Sequence, residues 1–90
     1  MATNAVGETL RLHPAVADAA VVGLPDPRSG QVPAAAVVLG EHDSVSAEEL
    51  MAWVAERQPG YCVPVKVVFV AALPRNAMFK VLANEVRALI

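Results

Sequence analysis

Val16-Ala17-Asp18-Ala19-Ala20-Val21-Val22-Gly23-Leu24, then Pro25-Asp26-Pro27-Arg28-Ser29-Gly30, then Val32 to Leu39, is the stretch that decides the fold. Ala19-Ala20-Val21-Val22 is continuously apolar, the pattern of a strand covered on both faces rather than one wetted on alternate residues. The six residues from Pro25 to Gly30 break that pattern with turn chemistry. Val32 to Leu39 resumes it as a second strand. The two strands are expected to pair antiparallel around this six-residue loop, which is longer than a tight hairpin.

On the N-terminal side, Val6, Thr9, Leu10 and His13 fall on one face at helical spacing, so a short helix is expected over Val6 to His13. Asn4 suits its N-cap, and Pro14 stops it after His13. On the C-terminal side, Gly40 to Ser44 is a polar turn. Ser46-Ala47-Glu48-Glu49 has the form of a capping box opening a second helix that runs to about Arg57, with Leu50, Trp53 and Val54 inward. Pro59-Gly60 ends that helix, and Tyr61-Cys62-Val63-Pro64 reads as an extended linker. Val65 to Val70, β-branched at most positions, reads as a third strand. Leu73 to Phe79 is a loop, and a last helix begins at Lys80 or Val81. The expected fold is α+β, a small three-stranded sheet with helices packed on it in the order helix-strand-strand-helix-strand-helix. It occupies residues 1–90 as a single domain, with no internal linker.

Ninety residues suffice for one core. The chain is 56% apolar and 18% charged, which makes it globular rather than disordered. A net charge of -2 and the lack of any Lys/Arg cluster give a nucleic-acid surface no electrostatic support. No apolar run approaches the roughly 20 residues that span a bilayer. Met1 to Glu8 lacks the charge and hydropathy order of a signal peptide. Cys62 is the single cysteine and has no internal disulfide partner, which fits the reducing cytoplasm.

The chemistry concentrates in Leu73-Pro74-Arg75-Asn76-Ala77-Met78-Phe79-Lys80, where a lysine stands at the mouth of a loop and can meet an anionic oxygen. Three further blocks precede it: Leu10-x-x-His13-Pro14-Ala15-Val16 followed by Ala19-Ala20-Val21-Val22-Gly23, Pro25 to Gly30, and Gly60-Tyr61-x-Val63-Pro64. In this order and spacing, from about Val6 to Ile90, the chain resembles the C-terminal domain of adenylate-forming enzymes, the acyl-CoA synthetases and their relatives.

The resemblance implies a mobile lobe of an acid–thiol ligase. In such enzymes a large N-terminal domain holds ATP and a carboxylic acid, an acyl-adenylate forms with release of pyrophosphate, and the acyl group then passes to coenzyme A. The small domain turns about a hinge between the two half-reactions. On this resemblance Lys80 is the catalytic lysine, and Asp26, Arg28, Gly30 and Arg75 are candidates for contact with substrate or the partner lobe. ATP, magnesium and coenzyme A belong to the complete enzyme, of the kind found in fatty-acid metabolism, and no cofactor is expected on this chain alone. The expected partner is the large adenylation domain, in cis or in trans. A small domain of this kind can also self-associate through the apolar surface its partner would cover. The sequence contains no Gly-rich phosphate loop, so the chain alone is not expected to be a ligase.

Several positions depart from the family pattern. Gly7 and Gln31 stand where glutamates are usual, Cys62 where a basic residue is common, and Met78-Phe79 where a small residue and a glycine precede the lysine. Glycine permits torsions and close approach that Phe79 resists. The hinge segment would lie just before Met1. Two readings therefore stand side by side: the C-terminal domain of a divergent acyl-CoA synthetase, and a stand-alone interaction module that docks on an adenylation domain or another protein and does no chemistry.

The remaining polar residues have plainer readings. His13 suits a helix C-terminus. His42 has no second metal ligand near it in sequence. Cys62, Ser29 and Ser46 lack a base partner, and Glu48, Glu49 and Glu56 fit a cap and a solvated helix face. Asp26, Arg28 and Gly30 can equally be a turn. Arg75 is either an anion contact beside Lys80 or a solvated loop residue.

Overall fold

β1 (Val16–Asp26) and β2 (Gly30–Leu39) form the frame of the molecule. The computed structural model describes residues 3–28, 30–78 and 81–90. The two strands pair antiparallel from Val16↔Leu39 to Asp26↔Gly30. The six-residue connection expected from sequence is thus shorter: the ladder continues through Pro25↔Gln31 to Asp26↔Gly30. Proline is tolerated here because β1 is an edge strand, with the free side of its backbone facing away from β2. Gly30 closes the hairpin at φ +85°, a left-handed conformation that glycine adopts without Cβ strain.

β3 (Lys66–Phe69) adds to the other side of β2 in parallel, from Ala34↔Lys66 to Val37↔Phe69, giving the order β1-β2-β3. The N–H groups of Val65 and Val70 donate to the carbonyls of Pro33 and Val37, so the pairing extends to the Val65–Val70 span read from sequence. A parallel neighbour requires a long crossover. α2 (Ala47–Ala55) supplies it, capped by Ser46 Oγ, which accepts from the Glu49 N–H at 3.1 Å.

The sheet is covered on both faces, as the continuous apolar run in β1 implied. On one face Val6 and Leu10 of α1 (Thr3–Arg11) and Leu50 and Val54 of α2 pack against Val16, Ala19, Ala35 and Val37. On the other, Val86 of α3 (Ala83–Leu89) and Leu73 pack against Ala20, Val22 and Ala36. A β-bulge at Ala17 makes this possible. The register shifts between Val16 and Asp18, so Val16 and Ala19, three apart, share one face, and Asp18 joins Ala20 and Val22 on the other.

The helices differ from expectation at their ends. α1 begins at Thr3, so Asn4 lies within it and is not its cap; it ends at Arg11, with Leu12 and His13 in turns before Pro14. α3 begins at Ala83 rather than at Lys80 or Val81, because Val81 is drawn into an antiparallel bridge with Arg75. Gly60–Cys62 is a 3-10 turn rather than an extended linker: Cys62 N–H donates to Pro59 C=O at 2.9 Å, which carries the thiol side chain into the core.

Trp53 links α2 to α1. Its Nε1 donates to the Thr9 carbonyl at 2.7 Å, His13 meets its ring edge-on, and the Arg57 guanidinium lies 3.4 Å from its centroid. His13 Nδ1 also accepts from the Ala15 N–H, so both histidine contacts serve the helix end. Among the described residues no helix is long and apolar enough to cross a membrane.

Candidate functional site

The segment from Leu73 to Leu82 leaves the buried Leu73 on the α3 face and returns to it at α3. Its base is closed twice: Arg75 and Val81 form the antiparallel bridge, and the Leu82 N–H donates to the Pro74 carbonyl at 3.0 Å. Asn76 Oδ1 accepts from the Met78 N–H at 2.9 Å, an Asx-type turn that starts the loop. Met78 is 85% exposed. Phe79 and Lys80, the residues on which the lysine assignment and the missing glycine bear, lie outside the described residues.

Arg75 is held by a residue that sequence reading passed over. Its guanidinium donates to Asp18 Oδ2 in an ion pair, with the arginine side chain one-third exposed. The other oxygen, Oδ1, accepts from the Ala19 N–H at 2.8 Å and lies 3.5 Å from Arg11 Nε. Arg11 also donates through a terminal nitrogen to the Ala19 carbonyl at 3.1 Å, which places it at the free edge of β1. One carboxylate thus joins α1, β1 and the base of the loop. A signal was available: Asp18 is the one charge in the apolar run from Val16 to Leu24, at a position that the bulge turns toward the loop.

Burial raises the Asp18 pKa, but the Arg75 hydrogen bond, the Ala19 N–H and the charges of Arg75 and Arg11 together outweigh it, leaving the carboxyl below its ordinary value. Because the folded pKa is the lower one, the group stabilises the fold above the unfolded-chain value of about 4, and that contribution is lost as pH falls through the folded value. Thermal melts of the chain between pH 7 and pH 3 are expected to fall more steeply for the wild type than for Asp18→Asn. Parallel curves would assign the acid loss to other groups.

The other candidates gather at the opposite end of β1. Asp26 Oδ1 accepts from the Arg28 N–H at 3.0 Å across the hairpin tip, and Arg28 and Gly30 are exposed there. Gly30, Gln31 and Pro33 form one wall of an open groove of about 650 Å³, with Tyr61, Val63 and Val65 on the other. Tyr61 is 71% and Val65 58% exposed. The Gln31 side chain lies across Gly23: a Cβ added there would stand 2.7 Å from its amide oxygen. From Asp18 to Asp26 the strand covers roughly 26 Å at about 3.3 Å per residue. The four described candidates therefore do not lie together. Arg75 belongs to the loop-base cluster, whereas Asp26, Arg28 and Gly30 belong to a hairpin–groove cluster at the far end of the sheet. Among the described residues no three His, Cys, Asp or Glu side chains gather to hold a metal ion.

A family profile described as AMP-binding enzyme C-terminal domain matches residues 5–80. The 2-succinylbenzoate–CoA ligase of Bacillus cereus is 46% identical over 85 residues, covering 94% of this chain and 17% of that protein. Among solved structures, the amide bond synthetase McbA from Marinactinospora thermotolerans superposes with a TM-score of 0.92 at 36% identity, over 98% of this chain and 18% of that one. The o-succinylbenzoate CoA synthetase of Bacillus subtilis, in complex with the acyl-adenylate intermediate OSB-AMP, gives a TM-score of 0.87 at 42% identity, over 94% of this chain and 17% of that one. The chain spans less than a fifth of the length of these relatives.

Proposed function

The chain belongs to the family of AMP-binding enzyme C-terminal domains, and from that premise we propose that it works as the mobile lobe of an ATP-dependent acid–thiol ligase, with Lys80 as its catalytic lysine. The observation that carries this reading is the loop base: Pro74-Arg75 and Val81-Leu82, which enclose the segment holding Lys80, are tied to each other, and Arg75 is tied to β1. A closed loop base reduces the chain freedom to be lost when the loop meets a partner's nucleotide.

Adenylation brings a carboxylate against the negatively charged α-phosphate of ATP. An ammonium between them reduces their repulsion and stabilises the charge that develops as the acyl–phosphate bond forms and pyrophosphate leaves. Lysine suits this as a point charge on a flexible stem. Magnesium and coenzyme A belong to the complete enzyme. The large adenylation lobe, in cis or in trans, is the proposed partner. Its contact in one orientation is the lysine loop. In the other it is the groove end, where exposed Tyr61 and Val65 flank Gly30 and Arg28 and Asp26 stand close by. The two relatives described as ligases of succinylbenzoate act on an aromatic acid rather than a fatty acid, but the choice of acid here rests with the large lobe. The proposed compartment is the cytoplasm, consistent with a buried free thiol at Cys62.

The second reading, a docking module without chemistry, is favoured by the departures at Gln31, Cys62 and Met78-Phe79. The test supplies this chain, in trans or as a fusion, to a 2-succinylbenzoate–CoA ligase lacking its own C-terminal lobe. Acid-dependent ATP–pyrophosphate exchange is expected to return. Binding of the chain without any return of exchange would favour the docking module.

A further inference from the structure

We infer that Asp18 is a positioning residue for the lysine loop: turned to the α3 face by the bulge at Ala17, its carboxylate grips Arg75 and so fixes the paired flanks between which Lys80 is carried. The inference rests on the reading of Lys80 given above, and adds to it the group that sets where the loop stands.

Three observations support it. First, the ion pair spans 57 positions of chain, joining the start of β1 to the loop, so it is a tertiary tie rather than a local turn contact. Second, Arg75 is itself one half of the bridge to Val81, the residue that follows Lys80, and the next N–H, that of Leu82, closes on Pro74. Holding the Arg75 side chain therefore holds both strands of the loop base. Third, Asp18 is itself held. Its Oδ1 accepts from the Ala19 N–H and faces Arg11, whose guanidinium is fixed to the Ala19 carbonyl, which leaves Oδ2 aimed at Arg75. An isolated exposed ion pair adds little. This one has a carboxylate only about a quarter exposed and two cationic partners, a network in which each member restricts the others. Bulges recur beside functional sites because they re-aim a side chain. Without the bulge at Ala17, strict alternation from Val16 would put Asp18 on the face of Val16, away from the loop.

The experiment has two readouts on the same variants. Hydrogen exchange on the 90-residue chain reads the Leu82 amide, and the reconstituted or fused ligase reads ATP–pyrophosphate exchange. Asp18→Asn is expected to speed exchange at Leu82 and to lower the adenylation kcat about tenfold, with the KM for ATP within about twofold. Arg75→Gln, which leaves the Arg11–Asp18 contact in place, should do the same, and the double variant should be no worse than either single one. Asp18→Glu should recover most of the rate. Should Asp18→Asn fold poorly, Arg75→Gln carries the test. Wild-type exchange at Leu82 in both variants overturns the inference. So does wild-type adenylation in both while Lys80→Ala is inactive, and in that case the lysine reading stands. If Lys80→Ala adenylates like the wild type, it is the lysine reading that fails, and the positioning role falls with it.

Discussion

Lys80→Ala is expected to lower acid-dependent ATP–pyrophosphate exchange by roughly a hundredfold to a thousandfold, the range for removing one preorganised charge-stabilising group from a transition state. The loss should appear in kcat, because the ammonium acts where the carboxylate and α-phosphate approach, and the large lobe supplies ground-state binding of both substrates. Transfer of the acyl group from a preformed acyl-adenylate to coenzyme A should be nearly unaffected. In the proposed cycle that step presents the hairpin–groove end of the lobe, roughly 26 Å along β1 from the loop base. Lys80→Arg should recover only part of the rate, since a planar fork does not replace a point charge on a flexible stem. Equal losses in both half-reactions would point to a folding or docking defect instead, and an unchanged exchange rate would remove Lys80 from the chemistry. Phe79, where the family pattern has glycine, bears on the same measurement: a gain on Phe79→Gly would mean that the ring restrains the lysine.

Much of the architecture could be read before any coordinates because its signals are local. The unbroken run Ala19-Ala20-Val21-Val22 implied cover on both faces of the sheet, and Val86 and Leu50 supply that cover from opposite sides. Ser46 with Glu49 three residues on marked the start of α2. The errors fall where a tertiary partner overrides a local preference. Val81 looks helical by spacing but is captured by Arg75, so α3 starts two residues later. Pro25 looks like a breaker but sits in an edge strand, where its missing N–H leaves no vacant place in the ladder. Asp18 stood out as a charge in an apolar run, but its role did not: its partner is 57 positions away, and only the bulge decides which way it faces. The separation of Arg75 from Asp26, Arg28 and Gly30 likewise depends on strand direction, which a motif does not contain.

Leu50→Ala is expected to destabilise the chain by about 3 kcal/mol, near the lower part of the range for buried leucine truncations. Leu50 is fully buried on α2, in the cluster that also contains Val6 and Leu10 of α1 and Val37 of β2. Apart from Leu10 and Cys62, the buried residues of that cluster around Leu50 are valine and alanine, and such small side chains cannot reach far into a vacated volume, so the cavity should persist. A domain of 90 residues has roughly 5–13 kcal/mol of stability in all, so the loss is a large share of the total. At about 4–8 °C per kcal/mol for a domain of this size, the midpoint of thermal unfolding should fall by roughly 12–24 °C. Leu89→Ala is the contrast: Leu89 is 47% exposed at the end of α3, and its truncation should cost less than about 0.5 kcal/mol. Comparable shifts for the two variants, measured by thermal melts at neutral pH, would mean that the α1–α2 face is not where the folding energy lies. Below its lowered midpoint the Leu50→Ala chain should still restore adenylation, because the Asp18–Arg75 tie and the lysine loop belong to the opposite face of the sheet.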